Sequence, residues 1–148
     1  MLLALVPLLL VAALPLAAPH LAAPPAEERC LPQCEVPGSA LAGFVPPAAV
    51  VRSGAAVTWR GLDSVLHVNL EGLVNSDAAR SCFHATYAGS GTATVVFHLL
   101  PEGIVAEQAG KAKPCTLAEP LPEGGAWLLP YQCVVHPLTM KGALVVVP

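Results

Sequence analysis

The sequence predicts an all-β fold, an antiparallel β-sandwich of seven or eight strands. Two observations support this prediction. Short apolar and β-branched runs alternate with Gly-, Pro- and Ser-containing turns about every ten residues, which is typical of sandwiches. After the first 26 residues, no run of ten or more residues has the apolar period of a helix.

The predicted strands follow in order along the chain. In the second strand, Val57 and Trp59 share one face and Thr58 and Arg60 share the other, as expected for a strand with one buried side. The segment 88–91 predicts a hairpin turn, and 111–125 predicts a loop. The strands are predicted at 48–52, 55–60, 65–70, 82–87, 92–100, 104–107, 126–131 and 143–147.

Length and charge exclude several classes of protein. The chain has 148 residues, enough for one domain and a leader, and a net charge of −3 without any basic run. We therefore expect no nucleic-acid partner, because phosphate binding needs clustered Lys and Arg. The acidic residues form no paired-carboxylate pattern and no serine lies in a G-x-S-x-G context, so a hydrolase has no support, and no enzyme is expected.

The N-terminus predicts export. Residues 1–26 contain no charged side chain, and 2–16 form an apolar run that fits a secretory signal peptide or a short N-terminal anchor. With two prolines, the run is marginal for spanning the ~30 Å of bilayer hydrocarbon. We expect a protein that is periplasmic, extracellular or tethered to the outer face of the cytoplasmic membrane. Residues 27–43 are predicted to be a Pro-rich linker, and 44–148 the folded domain.

One C-terminal segment carries most of the chemistry. Cys133, His136 and Met140 lie within eight positions, between a strand-like run and the terminal apolar run. Thiolate and thioether are soft ligands and imidazole is borderline, a mixture that suits copper. A Cys, two His and a weak axial Met form a blue-copper site, for which His67 is the candidate second histidine. The alternative is a buried cysteine near a surface histidine, with the methionine as core filler.

The remaining histidines and cysteines allow further interpretations. His84 is a weak candidate for a second site, and His98 is predicted to be a solvent-facing strand residue. Five cysteines in an exported chain suggest one free or ligating thiol, which the copper site assigns to Cys133. Of the three possible pairings of the other four, we favour Cys82–Cys115 with Cys30–Cys34. Cys30 and Cys34 could instead be a thiol pair for Cu(I) binding or redox exchange.

The order of these motifs resembles the cupredoxin family, which includes plastocyanin, amicyanin and pseudoazurin. The resemblance covers roughly 42–148, with two departures. Three residues separate His136 from Met140, where plastocyanins usually have four and amicyanins two, and Val68 stands where many members have the Asn that ties the ligand loops together. Asn69 follows one position later, and Ser64 is a possible substitute. The matching residues are Phe44, Pro46, Gly54, Val57, Trp59, Asp63, Ser64, His67, Tyr131, Cys133, His136, Met140 and Gly142.

The resemblance implies a Greek-key, cupredoxin-like sandwich that holds one copper ion, Cu(I) or Cu(II), through His67, Cys133, His136 and Met140. It implies a one-electron carrier between redox proteins, which would dock at an apolar patch near His136. The first alternative is an extracytoplasmic copper-binding or delivery protein without an electron-transfer role. The second is a cupredoxin fold that serves only as an interaction module.

Overall fold

Two β-sheets face each other in the structure, a computed structural model that describes the backbone of 29–30 and all of 33–73, 77–122 and 124–148. These residues form thirteen strands and no helix. Sheet I contains, in spatial order, β1 (Arg29–Cys30), β4 (Ala48–Arg52), β13 (Lys141–Val147), β12 (Trp127–Cys133), β6 (Leu66–Glu71) and β7 (Ala85–Ala88), and β11 (Glu119–Pro120) also pairs with β12.

Sheet II covers the other side of the core. It contains, in spatial order, β10 (Lys111–Pro114), β9 (Gly103–Gln108), β8 (Thr92–Leu100), β5 (Ala56–Gly61), β2 (Gln33–Ser39) and β3 (Gly43–Phe44).

The core between the sheets is built on aromatic side chains. Trp59, which is completely buried, stacks on Phe83 with ring centroids 5.3 Å apart. The rings of Phe97 and Tyr131 meet the same indole edge-on, at 6.3 Å and 5.4 Å. Buried and less buried residues alternate along β5, so Val57 and Trp59 face the core as predicted.

The predicted all-β sandwich is confirmed, with two differences in detail. The sheets are mixed, because β13 pairs with β4 and β2 pairs with β5 in parallel. Turn signals identify hairpins, which are antiparallel, but parallel partners are joined by longer connections that leave no local signal. There are also more strands than the predicted seven or eight, because short pairings such as β3 and β11 are too brief to form a sequence pattern.

Part of the predicted linker 27–43 is a strand of the sandwich. β2 pairs with β5 from Gln33 to Gly38, and Val36 is completely buried. Because of its prolines, this segment was predicted to contain no central strand. Pro37 lies in β2, which has β5 on one side and only the short β3 on the other. An edge position tolerates the missing N–H, and the Pro37 carbonyl accepts a hydrogen bond from the Val45 N–H (2.9 Å).

The segment 111–125, predicted to be a loop, contains β10 and β11. β10 is exposed at all four positions, so it lacks the alternation by which strands are recognised. The predicted strand 82–87 begins only at Ala85, because Cys82 lies in the segment that carries the disulfide to Cys115. That disulfide was predicted and is confirmed.

The leader 1–26, predicted to be a signal peptide or anchor, lies outside the described residues. Among the residues that are described, no helix is long and apolar enough to cross a membrane. Cys34 is disulfide-bonded. The side chain of Cys30, its predicted partner, also lies outside the described residues.

Candidate metal centre

Strand pairing in sheet I brings distant parts of the sequence together. β12 runs antiparallel to β6, with Cys133 opposite Asn69, so the last residue of β12 lies beside the middle of β6. His67, the second residue of β6, is completely buried. Cys133 is also completely buried, and it is the free cysteine among the described residues.

The segment after β12, residues 134–140, is a tight loop that we call the ligand loop. Its ends are closed by a hydrogen bond from the Cys133 N–H to the Met140 carbonyl (2.9 Å). Inside it, the Met140 N–H donates to the His136 carbonyl (3.0 Å). The Val134 N–H donates to the Val68 carbonyl of β6 (2.9 Å), which fixes the loop against the strand that carries His67.

Three of the four predicted ligands come together. One side-chain donor atom from each of His67, Cys133 and His136 lies within 4.8 Å of the others. The Sγ of Cys133 is 3.6 Å from Nδ1 of His136, and the two imidazole rings have centroids 5.1 Å apart at an angle of 50°. Residues separated by 66 positions in sequence, His67 and Cys133, therefore share one small site.

The donor set fits a soft or borderline metal ion. His67 is buried, yet its Nδ1 has no hydrogen-bond partner, which costs about 1–3 kcal/mol when a buried polar atom stays unsatisfied. Its other nitrogen, Nε2, is 2.7 Å from Oδ1 of Asp63. A carboxylate oxygen only accepts, so Nε2 carries the proton and Nδ1 has a free lone pair. A buried lone pair beside a thiol and a second imidazole is what copper requires.

The sulfur has a backbone donor of its own. The Val68 N–H lies 3.4 Å from Cys133 Sγ and donates to it. Hydrogen bonds of this kind tune metal-bound thiolates. The sequence left open which residue ties the two ligand-bearing segments together, with Asn69 and Ser64 as the candidates. Asn69 instead donates through Nδ2 to the hydroxyl of Tyr87 (3.2 Å).

Asp63 is the functional residue that sequence reasoning missed as a contact. The sequence analysis gave it only as one of the residues that match the cupredoxin pattern, and its spacing of four residues from His67 is the one signal that could have identified the contact. Desolvation raises the pKa of its carboxyl, but hydrogen bonds from the Ala40 N–H, the His67 ring and the Val65 N–H outweigh this and hold the pKa below its ordinary value.

Met140, the fourth predicted ligand, is completely buried at the base of the ligand loop. Its carbonyl accepts the Cys133 N–H, so the two residues are neighbours across the loop. Its methyl group lies against Gly38, where an added Cβ would be only 3.0 Å from Met140 Cε.

The other histidines lie outside this cluster. His84 is exposed and its Nε2 contacts the Ala78 carbonyl, whereas His98 pairs with Glu107 (3.1 Å) on the surface. A second group, Glu71 with Cys82 and Cys115, also brings ligand atoms together. Its two sulfurs are joined as a disulfide, so they are not free to bind a metal ion.

Comparisons with known proteins find similarity to solved cupredoxin structures. Amicyanin from Paracoccus versutus is 15% identical, with 79% of this chain and 83% of that chain covered and a TM-score of 0.48. The reduced Cu(I) form of an amicyanin mutant is 16% identical, with 77% of this chain and 81% of that chain covered and a TM-score of 0.48. A purple cupredoxin from Nitrosopumilus maritimus is 19% identical, with 77% of this chain and 97% of that chain covered and a TM-score of 0.47.

No protein-family model matches the chain, and no curated protein matches it. The candidate metal centre therefore rests on the geometry of its own residues. The resemblance to cupredoxins holds in the order of the motif residues and in the meeting of His67, Cys133 and His136.

Proposed function

We propose that this protein is an exported type 1 copper protein that carries one electron between redox partners. The observation that carries the proposal is the buried cluster of His67, Cys133 and His136, in which His67 Nδ1 has a free lone pair and no partner. Thiolate with two neutral imidazoles is the donor set of blue-copper sites.

Each residue has a distinct part in this proposal. Cys133 binds as the thiolate, with its sulfur held by the Val68 N–H. His67 and His136 donate through Nδ1, and Met140 supplies a weak thioether donor from the base of the ligand loop. When bound, copper supplies a reversible one-electron couple. Four protein donors leave no position for a substrate, which favours a carrier over an enzyme.

Disulfides support the export part of the proposal. Cys82–Cys115 is formed and Cys34 is disulfide-bonded, whereas Cys133 is free. Such disulfides persist in oxidising compartments and are rare in the cytosol. Together with the apolar leader, this favours a periplasmic, extracellular or outer-face-anchored protein.

His136 is partly exposed, and the segments that meet near it carry exposed apolar side chains. Seven of the ten exposed large apolar side chains of the described residues lie on segments that meet at the metal centre, and Leu41 and Leu138 are each 92% exposed. Patches of this kind mark docking surfaces, so we propose that redox protein partners dock here. We define the apolar rim as Leu41, Val45, Leu62, Val65, Leu66, Val135 and Leu138.

The test is to add one equivalent of Cu(II) to the purified protein and record its visible spectrum and its reversible reduction. An intense blue absorption with fast, repeated redox cycling is expected. A colourless Cu(II) form that reduces slowly, together with tight Cu(I) binding, would favour copper delivery or storage. Absence of copper binding in either oxidation state would remove the proposal.

A further inference from the structure

One carboxylate joins three separate segments beside the metal centre. Asp63 lies in the turn before β6, and its Oδ1 is 2.7 Å from His67 Nε2 and accepts a bond from the Val65 N–H (3.3 Å). Its Oδ2 accepts a bond from the Ala40 N–H (2.7 Å), which belongs to the turn between β2 and β3. Both oxygens are therefore used, and the side chain is only 26% exposed.

The connection continues into the ligand loop. The Thr139 hydroxyl donates to the Ala40 carbonyl, and Thr139 directly precedes Met140. A Cβ added at Gly43 would lie 2.7 Å from the Thr139 carbonyl, so this turn packs closely on the ligand loop. The path from His67 through Asp63, Ala40 and Thr139 thus reaches the segment that carries His136 and Met140.

These hydrogen bonds take the place of the contact that an Asn makes between the ligand loops in many cupredoxins. Val68 follows His67 where many cupredoxins have an Asn, and Asn69 bonds to Tyr87 and not to the ligand loop. The ligand loop retains backbone bonds to β6 through Val134. The Asp63 path adds side-chain hydrogen bonds that run through the turn between β2 and β3.

We propose that Asp63 is a positioning residue of the metal centre, which fixes the His67 ring with its Nδ1 lone pair toward Cys133 and biases the bound ion toward its oxidised state. The claim about the oxidised state of the ion rests on the proposed function, whereas the claim about the orientation of the His67 ring does not. Carboxylates that accept the second N–H of a ligating histidine set its tautomer and raise its basicity. A fixed negative charge near the ion also favours the higher metal charge.

The positioning half is tested in the metal-free protein by ¹⁵N NMR of the histidine rings. We expect wild-type His67 to be a single Nε2–H tautomer whose ring proton is protected from exchange. Asp63→Leu, similar in size but without acceptors, should lose that protection and populate both tautomers. Near-ultraviolet circular dichroism confirms that each variant is folded.

The charge half is tested by the reduction potential of the copper-loaded protein. Asp63→Asn keeps one acceptor oxygen but loses the charge, so the preference for Cu(II) over Cu(I) should fall about tenfold, a rise of about 59 mV for one electron. Glu102→Gln, which removes the same charge from the turn between β8 and β9, is the matched control and should leave the potential unchanged.

The outcomes separate the inference from the proposed function. An Nδ1–H tautomer in the wild type, or unchanged His67 protection in Asp63→Leu, overturns the positioning role whether or not copper binds. An Asp63→Asn potential equal to that of Glu102→Gln overturns the charge effect. If the wild type binds no copper, the proposed function and the charge half fail, and the tautomer still decides the positioning half.

Discussion

At the scale of single residues, the site is marked by two groups, a buried histidine nitrogen without a hydrogen-bond partner and a thiol outside any disulfide. His67 Nε2 is bonded to Asp63, so the one free ring atom is Nδ1, and it faces the buried cluster. Cys133 is free while Cys34, Cys82 and Cys115 are disulfide-bonded. A buried histidine nitrogen without a hydrogen-bond partner and a free thiol therefore lie in the same cluster. Packing of the core alone does not require this coincidence.

The first prediction concerns the ligands. Cys133→Ser should abolish the blue colour, because a hydroxyl does not replace the thiolate, and His67→Ala should open a position that added imidazole fills. Visible spectra of the copper-loaded variants check both. His98→Ala, a surface histidine paired with Glu107, is the control and should keep the colour. A blue Cys133→Ser protein would refute the assignment.

The second prediction concerns Met140. Met140→Leu nearly conserves volume at a fully buried position, so the free energy of unfolding should change by less than about 1.5 kcal/mol. The colour should persist, and the reduction potential should rise, because losing a weak axial donor disfavours Cu(II) more than Cu(I). Voltammetry measures the potential. An unchanged value would make Met140 a packing residue only.

At the scale of elements, β12 and β13 are fitted to each other beside the ligand loop. Tyr131 and Gly142 are direct cross-strand partners. A Cβ at Gly142 would lie 2.5–2.9 Å from atoms of the Tyr131 side chain, so the ring covers the bare glycine. The absence of a side chain at Gly142 is thus explained by the Tyr131 ring on the neighbouring strand.

The third prediction follows from this contact. Gly142→Ala should destabilise the protein by about 1–3 kcal/mol, because the added methyl group overpacks a buried ring. Chemical denaturation measures the free energy of unfolding. In a Tyr131→Leu background the same change should cost less, and the difference gives the coupling between the two positions. Equal costs in both backgrounds would mean that the contact is relieved by backbone movement.

The elements also show what could be predicted from the sequence. The bounds 48–52 and 92–100 were predicted as the structure has them, because alternating residues and flanking turns agree there. β2 was missed because the prolines around it and Pro37 within it opposed a strand, and placement near the edge of the sheet made Pro37 tolerable. His67, Cys133 and His136 followed from ligand chemistry and order. The contact between Asp63 and His67 could not be predicted in this way, because a carboxylate in a turn has many possible hydrogen-bond partners.

At the scale of the whole molecule, one disulfide and a buried carboxylate hold the long middle of the chain in place. Cys82–Cys115 links the segment before β7 to the segment after β10. Beside it, the buried Glu71 carboxylate accepts bonds from the Cys82 N–H (3.3 Å) and the Thr116 hydroxyl (2.9 Å). The long middle of the chain is thus fixed to sheet I by one covalent and several polar contacts.

The fourth prediction concerns the oxidation state of the thiols. In exported protein, after copper removal under inert gas, four of the five cysteines should be oxidised and Cys133 alone should be alkylated. Non-reducing mass spectrometry with peptide mapping measures this. Reduced protein alkylated at all five positions is the control. Free thiols at Cys30 and Cys34 would contradict the predicted pair and favour a Cu(I)-binding or exchange role there.

The last prediction concerns the surface through which the electron leaves. Within the segments 38–45, 62–66 and 134–141, Asp63 and Lys141 are the charged residues, and the apolar rim supplies the exposed area. Contact through this surface depends mainly on apolar burial, which salt screens little, and not on steering between charged patches. Electron self-exchange between Cu(I) and Cu(II) copies should therefore change less than about threefold between low and physiological ionic strength.

Variants of the apolar rim complete this test. Leu138→Glu and Val135→Lys place charges beside His136 and should slow self-exchange, measured by NMR line broadening, without changing the visible spectrum. Leu117→Glu is the matched control, because Leu117 is 48% exposed, as Val135 is 47%, but it lies outside the rim. The control variant Leu117→Glu also alters the net charge. A self-exchange rate equal to that of the wild type in this variant would therefore show that the slower exchange of the other two variants comes from the apolar rim and not from net charge. A steep dependence on salt, or full activity in both rim variants, would place the docking surface elsewhere on the molecule.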